Sequence, residues 1–137
     1  MLREVRISQR DDGTRRRWFT DRKLDLIVWI AEDATVDSFQ LCYVRLGSEY
    51  ALTWTRANGY CHDRIDDGER IPAKNLAAIL ISSGLLRRFH ESSGEIELEI
   101  RHVIEEKLSA LASRLATSRG RGAEQRIPSE ALPEATL

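Results

Sequence analysis

Leu24-Asp25-Leu26-Ile27-Val28-Trp29-Ile30, Phe39-Gln40-Leu41-Cys42-Tyr43-Val44, Tyr50-Ala51-Leu52-Thr53-Trp54-Thr55 and Tyr60-Cys61-His62-Asp63-Arg64-Ile65 follow one another with only short links between them. Each run is rich in β-branched and aromatic residues, and Gly, Asn, Asp or Ser punctuate the links, the pattern of an antiparallel meander. In the first run both alternating faces are apolar, Leu24/Leu26/Val28/Ile30 on one and Ile27/Trp29 on the other, broken only by Asp25. A strand of that kind belongs near the centre of a sheet, covered on both sides or forming an interface on one.

The links differ in what they specify. Glu32-Asp33-Ala34 and Arg45-Leu46-Gly47-Ser48 read as hairpin loops that fix no register by themselves. Asn58-Gly59 carries the strongest short-range hairpin signal, because both central residues of a type I′ turn need positive φ and this pair tolerates it. A two-residue loop there sets Thr55 opposite His62, Thr53 opposite Arg64 and Ala51 opposite Asp66, leaving Tyr50, Leu52, Trp54 and Ile65 as an apolar row. A three-residue loop with a bulge swaps the faces of the last strand and puts His62 beside Trp54. The two-residue loop is favoured because it groups like with like.

Outward toward the N-terminus, Val5 and Ile7 alternate with Glu4 and Arg6 as in a half-buried edge strand. Asp11-Asp12-Gly13 supplies a turn, and Thr14 to Thr20 returns, with Arg15-Arg16-Arg17 in its outer half and Trp18-Phe19 in its inner half. In the other direction, Asp66-Asp67-Gly68-Glu69-Arg70 and Ile71-Pro72 close the meander. Leu76 to Ile81 fits a short buried helix or a last strand equally well. Leu85 to His90 predicts a short helix. Ser92 and Glu95 predict a capping box, followed by a long helix whose apolar stripe is Ile96, Ile100, Val103, Ile104, Leu108, Leu111 and Leu115. Lys107 falls within that stripe and is expected to carry its ammonium out past its own stem.

The fold class expected is therefore α+β: an antiparallel β-meander of five or six strands, then two or three helices packed on one face of the sheet. One domain is expected over residues 1–116, with the meander in 1–70 and the helical part in 71–116. Residues 117–137, with Pro128, Pro133 and scattered charges but no periodicity, read as a flexible tail.

Composition excludes the strongly charged classes. Twenty-one basic and twenty-two acidic side chains in 137 residues give a net charge of -1, so no global field draws the chain to nucleic acid or to a membrane surface. Met1 to Arg6 is charged where a signal peptide needs apolar residues, and no apolar run approaches a spanning helix. A cytoplasmic protein is expected, in which Cys42 and Cys61 are two small buried thiols.

The runs Arg15-Arg16-Arg17-Trp18-Phe19-Thr20-Asp21, Asp25-Leu26-Ile27-Val28-Trp29, Phe39-Gln40-Leu41-Cys42-Tyr43, Ala51-Leu52-Thr53-Trp54 and His62-x-Arg64-x-Asp66-Asp67-Gly68-Glu69 together resemble a group of short bacterial proteins of uncharacterised function. The resemblance covers about the first half of the chain. It implies a small cytoplasmic bacterial protein and brings no catalytic residue with it.

Three constellations are candidates for function. In the favoured register Thr53, Thr55, His62, Arg64 and Asp66 share one face, where Arg64 could pair a phosphate or carboxylate of a small anionic ligand or a hydrolase-like reaction could take place. Arg15 and Arg17 beside Trp18 could contact phosphates and stack a base, although alternation sends Arg16 to the opposite side and Asp11, Asp12 and Asp21 dilute the patch. Ile27 and Trp29 make the second face of the central strand apolar, as an interface would. The three tryptophans Trp18, Trp29 and Trp54 read as core residues. His62, Asp63, Asp66, Asp67 and Glu69 are dense in possible ligands but lack a second converging His or a repeated spacing, so neither metal nor cofactor is expected. No nucleophile elbow, P-loop, dinucleotide fingerprint or H-E-x-x-H is present, which leans away from catalysis. The leading reading is a non-enzymatic interaction module whose partner is another protein or a second copy through the sheet. Its rival is the ligand site around His62, Arg64 and Asp66.

Overall fold

The computed structural model describes residues 1–7, 9, 15–70 and 84–120, with side chains as far as Ser113. Six strands form one sheet in chain order: β1 (Arg3–Val5), β2 (Arg15–Thr20), β3 (Leu24–Ile30), β4 (Val36–Arg45), β5 (Ser48–Thr55) and β6 (Gly59–Arg64). Every neighbouring pair is antiparallel. Among the described residues two helices follow, α1 (Leu85–Ser92) and α2 (Leu98–Gly120). This is the α+β meander that the alternating runs predict. The Leu76 to Ile81 run and the Asp11-Asp12-Gly13 turn lie outside the described residues.

One face of the sheet carries Phe19, Leu26, Leu41 and Leu52 in one row across the strands and Val28, Phe39 and Trp54 in the next. Leu85 and Phe89 of α1 and Ile100, Ile104, Leu108 and Leu111 of α2 join these residues in a single buried cluster. Both helices therefore cover the same face. Burying their stripes stabilises by roughly 1.5–3 kcal/mol per large apolar side chain, which a lone helix in water lacks.

Several local expectations change in the structure. The capping box does not form: the Ser93 hydroxyl donates to the His90 carbonyl at 3.1 Å, and α2 begins at Leu98, with the Glu97 carbonyl accepting from the Arg101 amide at 3.0 Å. Ile96 is buried ahead of the helix rather than in its first turn. At the other end α2 runs to Gly120, four residues into the stretch expected to be a tail, while residues 121–137 lie outside the described residues. Lys107 is half-buried; its Nζ sits 4.7 Å from the centre of the Trp54 ring, and its carbonyl accepts from the Tyr60 hydroxyl at 3.0 Å.

Of the three tryptophans only Trp54 packs against the core, tilted on Phe39 with ring centres 5.9 Å apart. Trp18 and Trp29 are half-buried on the opposite face, because β2 and β3 alternate and the covered positions there belong to Phe19, Leu26 and Val28. No helix among the described residues is long and apolar enough to cross a membrane.

Candidate functional site

The β5–β6 hairpin decides whether the polar residues of the last strand meet. Thr55 pairs with Gly59, Thr53 with Cys61 and Leu52 with His62, so the loop is Arg56, Ala57 and Asn58. Gly59 takes φ of 80°, the left-handed conformation that a three-residue bulged loop requires, and the Asn58 amide donates to Thr55 Oγ1 at 2.9 Å. The favoured two-residue register is thus corrected. That register would have turned Asp63 under the helices, where an unpaired carboxylate is costly, and left Tyr60 and His62 outside. In the observed one Tyr60 and His62 enter the core, while Asp63 stays on the open face and accepts from Arg70 Nε at 2.6 Å.

The five residues expected to share a face are consequently separated. Thr53 and Thr55 lie on the face away from the helices, where Thr53 Oγ1 accepts from Gln40 Nε2 at 3.2 Å. His62 is 2% exposed, on the face of the sheet that carries the core. Arg64 is on the helix side but at the sheet end, bonded to Asp67 at 2.7 Å and Glu69 at 2.6 Å. Those two carboxylates raise its basicity and close the 64–69 loop, together with the Gly68 amide on the Arg64 carbonyl at 2.8 Å. Asp66 is exposed on that loop. Arg64 is occupied as a loop clasp.

His62 instead belongs to an aromatic trio that the sequence reading missed. Tyr43, Tyr50 and His62 stack with ring centres 5.5–5.8 Å apart, and the Tyr43 hydroxyl lies 2.7 Å from His62 Nε2. Burial pushes His62 down to about 4, so the imidazole is neutral at physiological pH, and burial raises Tyr43 as well. His62 Nδ1 has no hydrogen-bond partner among the described residues. If Tyr43 donates to Nε2, one polar group is orphaned; if Nε2–H donates to Tyr43, both Nδ1 and the hydroxyl proton are. The first arrangement is therefore favoured. The signal available in the sequence was the face that Tyr43, Tyr50 and His62 share once the register is known.

The basic run also separates. Arg17 faces the helices and forms paired bonds to Glu4, both 2.8 Å, and to Glu97 at 2.8 and 3.1 Å. Both carboxyls are held below their usual range, first by their hydrogen bonds to Arg17. Arg15 is exposed and adds its charge to the same two carboxylates, whereas Trp18 lies on the opposite face. The phosphate-plus-stacking arrangement is not assembled.

No family model, curated protein or solved structure matches this chain.

The open face of the sheet holds the interface candidates. Val5, Trp18 and Ile27 form one row across β1, β2 and β3, and Trp29 sits in the next row beside Arg16. All four apolar residues are half-buried. Asp25, the lone break in the apolar strand, accepts from Trp18 Nε1 at 3.2 Å and from Thr20 Oγ1 at 2.5 Å. Toward β6 the face turns smaller and more polar, with Ser38, Gln40, Cys42, Thr53, Thr55 and Cys61. Both thiols are free and are pushed up to about 11 by burial, so neither is a reactive thiolate. They stand two strands apart, roughly 10 Å, too far for a disulfide. Among the described residues no three His, Cys, Asp or Glu side chains converge as metal ligands would.

Proposed function

We propose that this protein is an interaction module that pairs with a second copy of itself through the open face of the sheet. The observation that carries the reading is the apolar patch of Val5, Trp18, Ile27 and Trp29 on the face that neither described helix covers. Contiguous apolar surface on a small domain is costly unless a partner covers it. The carboxylate beside the patch, Asp25, is already bonded to Trp18 and Thr20, so drying the patch strands no unsatisfied carboxylate. A two-fold axis passing near Ile27 lays the patch on its own copy, the simplest closed assembly. With a net charge of -1, two copies meet without long-range repulsion.

The test is sedimentation velocity on the full chain and on Trp29→Glu. A doubled mass for the parent and a single mass for the variant, with matching far-ultraviolet circular dichroism, supports the reading. A parent that sediments at one chain's mass, or a folded variant that keeps the parent's mass, overturns it.

A further inference from the structure

A different surface gathers cations into one cleft. The β2–β3 hairpin tip, the end of β1 and helix α1 bound a cleft of about 680 Å³, and Arg3, Arg22, Lys23, Arg87 and Arg88 line it. Clefts of roughly 300–1,000 Å³ are the size that small ligands occupy. Five cations from three separate segments are gathered in a protein whose net charge is -1.

Outside the cleft three arginines are held by carboxylates. Arg17, Arg64 and Arg70 each bond a carboxylate at 2.6–2.8 Å. Among the described residues, Arg87 in the cleft has such a partner, Glu91 at 3.5 Å. Arg3, Arg22, Lys23 and Arg88 have no carboxylate within ion-pair distance among the described residues. Asp21 also lines the cleft, but its Oδ1 accepts from the amides of Lys23 and Leu24, both at 2.8 Å, so it holds the turn instead of neutralising the side chains at its tip. That turn is tight: the Asp21 amide donates to the Leu24 carbonyl at 2.9 Å, leaving Arg22 and Lys23 as the two tip residues.

The walls are fixed to one another. The Leu2 amide donates to the Ser92 carbonyl at 2.8 Å, tying the start of β1 to the end of α1, and Leu2, Leu24 and Leu85 are fully buried behind the cleft. Like charges that line one cleft favour an anion within it. One singly charged group cannot reach guanidinium and ammonium groups on three elements, whereas adjoining phosphates present several acceptor oxygens, which guanidinium forks match bidentately.

We infer that this cleft binds a small soluble polyphosphate, a ligand with at least two linked phosphate groups such as a nucleoside di- or triphosphate. Arg22 and Lys23 reach the ligand from the hairpin tip, Arg3 from β1 and Arg88 from α1.

Isothermal titration of the full chain with inorganic pyrophosphate and with ATP, without added metal at fixed ionic strength, tests this. Binding of either probe that weakens at least tenfold in both Arg22→Ala/Lys23→Ala and Arg88→Ala, but stays within twofold in Arg6→Ala, supports the site. Tighter binding of ATP than of pyrophosphate adds that the nucleoside is seated as well. No heat from either probe up to millimolar concentration overturns the inference, as does affinity that sulfate at equal ionic strength reproduces. Binding of short single-stranded RNA with none of either probe overturns it too, because the recognised chemistry would then be a nucleic-acid strand. Circular dichroism of each variant checks that the exposed substitutions leave the fold in place.

Discussion

The Tyr43 hydroxyl on β4 lies 2.7 Å from Nε2 of His62 on β6, spanning β5, and both residues are almost wholly shut from water. An imidazole so placed is a proton-linked load on the fold. His62 is pushed down to about 4 from an ordinary 6.5, by burial.

Stability should therefore depend on pH in a defined window. Between pH 6.5 and 4 the unfolded chain takes up a proton at His62 that the folded chain refuses, so stability is fully present above 6.5 and falls as the pH drops toward 4. The loss over that span is about 3 kcal/mol. Urea unfolding of the parent at steps from pH 7 to 5 should show the slope. His62→Phe should flatten it, while Tyr43→Phe should keep it, because burial and not the hydroxyl is its main cause. A parent with no slope above pH 5 would sink this account.

Arg17 joins three elements through Glu4 on β1 and Glu97 ahead of α2. Both carboxylates are largely open to water, so each pair contributes modestly, and Arg17→Ala should destabilise by about 1–2 kcal/mol. Arg17→Lys should recover only part of that, since a single ammonium cannot grip two carboxylates with paired bonds. Thermal melts at low and high salt should show the difference between parent and alanine variant shrinking as salt rises.

The two-residue turn with both residues at positive φ occurs at Leu46 and Gly47, with φ of 53° and 81°. Leu46 is 86% exposed, so its side chain gains nothing to offset a left-handed backbone. Leu46→Asn should stabilise by about 1 kcal/mol, read as a higher urea midpoint with unchanged denaturant slope. A variant no more stable than the parent would mean that Leu46 is held by something other than its turn.

That turn also shows where local reading stops. The sheet order was legible because each strand pairs only with its neighbours in the chain and each run carries its own alternation. Asn58-Gly59 had the better local signal for a two-residue loop, yet the burial of whole faces decides register, and only the longer loop buries Tyr60 and His62 while sparing Asp63. A one-residue error there moved His62 and Asp63 to the wrong faces and created a ligand site the fold does not assemble. Ile27 and Trp29 were correctly read as the second face of a central strand, since alternation within one strand needs no register. The basic cleft was out of reach for the opposite reason. Arg3, Arg22, Lys23 and Arg88 lie on three segments, and only the bond between Leu2 and Ser92 and the packing of α1 bring them together.

The Leu2–Ser92 bond and the Arg17–Glu97 pair have a bearing on how the chain comes to be folded. Every ladder from β2 to β6 joins neighbouring segments and can zip as the polypeptide leaves the ribosome. The first strand is different: beyond its three-residue ladder and the Glu4–Arg17 pair on β2, the Leu2 amide waits for Ser92, some ninety residues downstream, and Glu97 joins Arg17 only when the start of α2 has emerged. The first strand, made before the rest of the sheet, is thus the last to be locked, and a ribosome stalled before Ser92 presents the sheet with its β1 edge not yet tied to α1.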